Sequence, residues 1–113
     1  MHKLFHISFI FLGVPKMRDL EVAFTDPEDD WIRLSAFTWL LWSPKPVGII
    51  YNRIKPLLDT QDKFFISEVE IRQTAGFIPP WAWTWINNKL PGSISVEDNP
   101  LAKLIAPPKY PSS

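Results

Sequence analysis

The run KLFHISFIFL at residues 3–12 sets the strongest limit on how this chain can fold. It is nearly continuous in apolar residues and rich in Phe and Ile, which suits a β-strand buried on both faces. A bilayer-spanning helix needs about 20 apolar residues, so the run is too short for one. The short positive start before it resembles a signal peptide. His6 and Ser8 interrupt the run, however, and Val14, Pro15 and Lys16 stand where a small-residue cleavage site would belong. The expectation is a core strand, stopped by Gly13 and Pro15.

The following segments supply partners for such a strand. Residues 16–24 space Met17, Leu20 and Phe24 at helical intervals, and Asp26-Pro27 ends the helix because proline disfavours helix at the residue before it. Residues 30–43 read as a two-stranded hairpin, with Trp31, Arg33 and Ser35 on one side and Ile32 and Leu34 on the other. Ser35-Ala36 is the expected connection, and one long strand bulged near Ser35 is the alternative. After Ser43-Pro44-Lys45-Pro46, the residues Val47, Ile50, Ile54 and Leu57 form one helical face, with Pro56 in its last turn. Residues 59–62 make a polar turn, and residues 63–71 alternate as a final strand. The order is strand, helix, strand, strand, helix, strand. This predicts an α+β chain, a ferredoxin-like sandwich (βαββαβ) with both helices on one face of an antiparallel sheet.

Residues 81–86 admit two geometries. As a strand, Trp81, Trp83 and Trp85 line one face like a base-stacking platform. As a helix, Pro80 sits at the first turn, Trp81 and Trp85 share a face with Asn88, and Trp83 lies to one side, free to meet a partner. The prolines before the segment and Asn-Asn-Lys-Leu-Pro-Gly after it favour a C-terminal Trp-rich helix. The domain is expected to span residues 1–90. Residues 91–113 carry Pro91, Pro100, Pro107, Pro108 and Pro111 without periodicity, which predicts an irregular Pro-rich tail.

Composition narrows the function. Twelve Lys and Arg balance twelve Asp and Glu, so the chain lacks the basic excess that drives non-specific nucleic-acid binding. With no cysteine, disulfides, thiol catalysis and Cys-based zinc sites are excluded. A Cys-free chain fits a reducing compartment, and a cytoplasmic location with no membrane partner is the expectation.

The stretch Phe37-Thr38-Trp39-Leu40-Leu41-Trp42-Ser43, then a short helix, then Leu58-Asp59-Thr60-Gln61-Asp62-Lys63-Phe64-Phe65-Ile66-Ser67-Glu68-Val69, resembles the CRISPR-associated Cas-two type and its SinR-like relatives. The resemblance covers about 40 residues well and about 65 loosely, and implies a ferredoxin-like fold and a homodimer. It also implies a bacterial or archaeal setting linked to mobile-element defence. The nucleases of that family use an acidic residue at the end of the first strand. Here that end reads Phe11-Leu12-Gly13-Val14, without a carboxylate.

The remaining candidates for chemistry have structural readings. Asp26, Glu28, Asp29 and Asp30 form an acidic cluster, but its spacing matches no EF-hand, and a solvated loop explains it. Asp59 and Asp62 suit turn formation. Glu68 and Glu70 share a strand face and matter chemically only if that face is covered. His2 and His6, four apart on a strand, would stand about 13 Å apart, too far for one ion. Trp39 and Trp42, three apart, face opposite sides of their strand, one in the core and the other under a helix or at a dimer contact. There is no G-x-S-x-G elbow and no glycine-rich phosphate loop.

Together these features predict a non-catalytic protein-association domain acting as a homodimer. No catalytic residue, metal or cofactor is expected, and Trp42, Trp81, Trp83 and Trp85 are the partner-binding candidates. Two other readings compete: a metal-dependent endonuclease with acids from Asp26, Asp29 or Asp30, and a single-stranded nucleic-acid-binding module using the tryptophans.

Overall fold

The computed structural model describes residues 1–89; the proline-rich segment expected at residues 91–113 lies outside them. The chain divides after Glu68 into two units, Met1–Glu68 and Val69–Ser113. Among the described residues it is an α+β protein with a four-stranded antiparallel sheet and three α-helices, compatible with a ferredoxin-like fold.

The first unit follows the expected order. Strand β1 (Lys3–Ile10) leads to helix α1 (Met17–Ala23). The hairpin of β2 (Asp30–Ser35) and β3 (Thr38–Ser43) follows, then helix α2 (Val47–Ile54), and then β4 (Lys63–Val69). The sheet order is β2-β3-β1-β4. β1 pairs antiparallel with β3, Phe5 opposite Leu41 and Ile7 opposite Trp39.

Alternation along the strands decides what is buried. Phe5, Ile7 and Phe9 of β1, with Trp39 and Leu41 of β3, share one core cluster with Leu20, Phe24, Ile50 and Ile54 from α1, its C-cap and α2. Both helices therefore cover the same sheet face. On the second face Leu4 and Leu40 are also buried, whereas His6 and Ser8 are only partly so. The Trp39 ring meets Phe9 edge-on at 6.0 Å and Trp31 at 4.9 Å. The Arg33 guanidinium lies 5.9 Å from its centroid, a cation–π contact.

The structure differs from the sequence reading at element ends. β1 stops at Ile10, leaving Leu12 and Val14 exposed in a loop. The hairpin form holds, but its turn residues are Ala36 and Phe37, and a register shift lies between Arg33 and Ser35. The Ser35 hydroxyl accepts the Phe37 N–H at 3.1 Å and closes the turn. In α2, Ile50 and Ile54 are buried, but Val47 is exposed because the first turn lies beyond the packed face. Pro56, which cannot donate to an α-helical ladder, sits in a 3₁₀ turn over Lys55–Leu57. β4 ends at Val69, and a second 3₁₀ turn takes Ile71–Gln73.

In the second unit, Pro80–Asn87 form helix α3, so the tryptophans stand on a helix and not on a strand. Pro80 occupies its first turn, where a missing N–H costs nothing.

Candidate association surface

The acidic cluster is only partly solvated: Glu28 and Asp30 are exposed, but Asp26 and Asp29 are held by cations. The Asp29 carboxylate is almost fully buried and takes Lys45 Nζ at 2.9 Å. The same ammonium reaches Asp26 Oδ2 at 3.2 Å. Arg53 approaches Asp26 at 3.9 Å and Asp29 at 3.8 Å, and its Nη1 donates to the Ala23 carbonyl at 3.5 Å. The network ties the α1–β2 loop to the start of α2 and to its last turn. Asp26 also accepts the Glu28 backbone N–H. That bond, then Lys45, holds its pKa below the ordinary value. Burial works against the Lys45 charge, but hydrogen bonds to Asp29 and Asp26 outweigh it and raise the pKa. The oxygens a hard cation would need are already committed to two protein cations. Among the described residues, no group of three or more His, Asp or Glu side chains is placed to hold a metal ion.

The other titratable candidates also resolve. Asp62 accepts the Leu12 N–H at 3.1 Å and the Asp59 N–H at 3.1 Å, which is the expected turn chemistry. Asp59 itself takes Lys16 at 2.9 Å, and this hydrogen bond raises the Lys16 pKa. Glu68 and Glu70 are exposed, so no buried carboxylate pair forms. Glu68 lies 3.4 Å from Lys3, and Glu70 accepts the Arg72 N–H at the start of a 3₁₀ turn. His2 stacks on Trp42 with centroids 5.5 Å apart and contacts the Glu28 carbonyl at 2.8 Å.

The tryptophan candidates divide. Trp39 is core and Trp42 is half-buried on the opposite sheet face, as the odd spacing requires. Trp42 already carries His2 on its ring, so it is not an open platform. On α3 the sequence expectation is reversed. Ala82, Trp83, Ile86 and Asn87 form the buried stripe, and Trp83 is only 3% exposed. Trp81, which shares its face with Trp85, is 53% exposed. Trp85 is half-buried, with the Lys89 amine 4.8 Å from its ring. Trp83 and Ile86 stand at i and i+3, and that stripe, rather than the one through Trp81 and Trp85, turns inward. Trp83 is therefore not the free ring of the three.

An open apolar surface of the first unit was not among the sequence candidates. It is a trough between α2 and β4. Its middle, about 350 Å³, is lined by Val47, Gly48, Tyr51, Phe64, Phe65 and Ile66. Phe65 is 66% exposed, and the Tyr51 and Phe64 rings lie 5.1 Å apart. Sharing Tyr51 and Phe64, the trough opens into a hollow of about 590 Å³ whose polar lining is Asn52, Lys55, Asp59, Thr60, Asp62 and Lys63, two lysines against two aspartates. Sharing Val47 and Ile66, it meets another of about 530 Å³ at the other end, beside Lys3, Lys45 and Glu68.

The chain matches no known protein family, no curated protein and no solved structure. One signal for the trough is present in the sequence. Two adjacent phenylalanines on a strand must face opposite ways, so Phe64 and Phe65 cannot both enter the helix-covered core. Phe64 packs against the core, and Phe65 does not.

Proposed function

We propose that this chain is a ferredoxin-like, protein-association domain that acts as a homodimer and not as a catalyst. The observation that carries the reading is the apolar trough beside β4, with Phe65 exposed on that outermost strand and Tyr51 and Val47 exposed on α2 beside it. An open sheet edge flanked by apolar side chains is a template for a further strand, and folds that leave one exposed normally use it or protect it. The other outer strand, β2, carries a register shift and an Arg33–Glu21 ion pair at 3.2 Å, both of which discourage edge pairing. The sheet order supports the ferredoxin-like assignment. The resemblance to the Cas-two and SinR-like proteins supports a homodimer in a cytoplasmic, defence-linked setting. Among the described residues no helix is long and apolar enough to cross a membrane.

The nuclease reading has less support, because Asp26 and Asp29 are held by Lys45 and Arg53. Sedimentation equilibrium over micromolar to millimolar concentration tests the proposal, with a concentration-dependent dimer as the expected result. A monomer throughout would sink it. Metal-dependent cleavage of labelled RNA or DNA that disappears in Asp26→Asn would establish the competing reading.

A further inference from the structure

We draw no further inference here: the strongest candidate, the open trough between α2 and β4 with the hollow at its Tyr51–Phe64 end, carries nothing beyond the association reading, because nothing in the structure shows what covers its apolar middle and the hollow sets Lys55 and Lys63 against Asp59 and Asp62, so that charge selects no occupant.

Discussion

Asp29→Asn is the sharpest test of how the acidic cluster is used. The substitution keeps the size of the side chain and removes its charge. The Asp29 side chain is 1% exposed, and its partner Lys45 is 13% exposed. A hydrogen bond to a charged group contributes about 1.5–3 kcal/mol, and losing one member of a fully buried pair costs about 3–5 kcal/mol. Asp26 still holds Lys45 at 3.2 Å, so the lower range applies. The expected loss is about 2–3 kcal/mol, with a fall in Tm of about 10 °C or more. Urea denaturation at neutral pH, followed by circular dichroism and tryptophan fluorescence, reads it as a lower midpoint at unchanged slope. Asp26→Asn should cost less, because that side chain is more open to water. A loss below about 0.5 kcal/mol for Asp29→Asn, the level of an ordinary surface change, would show that the network is solvated and that its acids are not committed to the fold.

Further outcomes follow from the same geometry. Trp39→Ala should cost about 3–5 kcal/mol in urea denaturation, whereas Trp39→Phe should cost much less, because the Trp39 indole N–H finds no hydrogen-bond partner among the described residues. On α3, Trp83→Ala should lower the thermal midpoint markedly, whereas Trp81→Ala should stay within about 0.5 kcal/mol of wild type; equal effects would contradict the assigned stripe. Stability should be eroded at both ends of a pH titration. Asp26 has a folded pKa below its ordinary 3.8, so its contribution is present above 3.8 and is lost as pH falls through the lower folded value. Lys45 and Lys16 have folded pKa values above 10.5, so their contributions are complete below 10.5 and are lost as pH rises through the folded values. Thermal melts across the acid and alkaline ranges check both limbs, and Asp26→Asn should flatten the acid one.

Local chemistry made much of the fold legible. The apolar run of β1, the prolines at 15, 27, 44 and 46, and the Asp59–Asp62 turn act over a few residues, and each occurs where the pattern predicts. The odd spacing of Trp39 and Trp42 dictates opposite faces wherever the strand lies. The candidate site was less legible. The acids Asp26 and Asp29 read as an exposed loop because Lys45 and Arg53, which bury and neutralise them, are 16 or more residues away in sequence. Trp83 read as the free ring because α3 carries two apolar stripes, and periodicity alone does not say which turns inward.

By itself the sequence determined the element order, the absence of thiol chemistry and the balanced charge, all of which depend on residue type and short spacing. Only the tertiary structure decided that β4 is an outer strand, that Phe65 and Tyr51 flank an open trough there, and that Asp26 and Asp29 are held by cations. Strand order and long-range ion pairing arise from contacts between segments far apart in the chain, and a local pattern does not contain them.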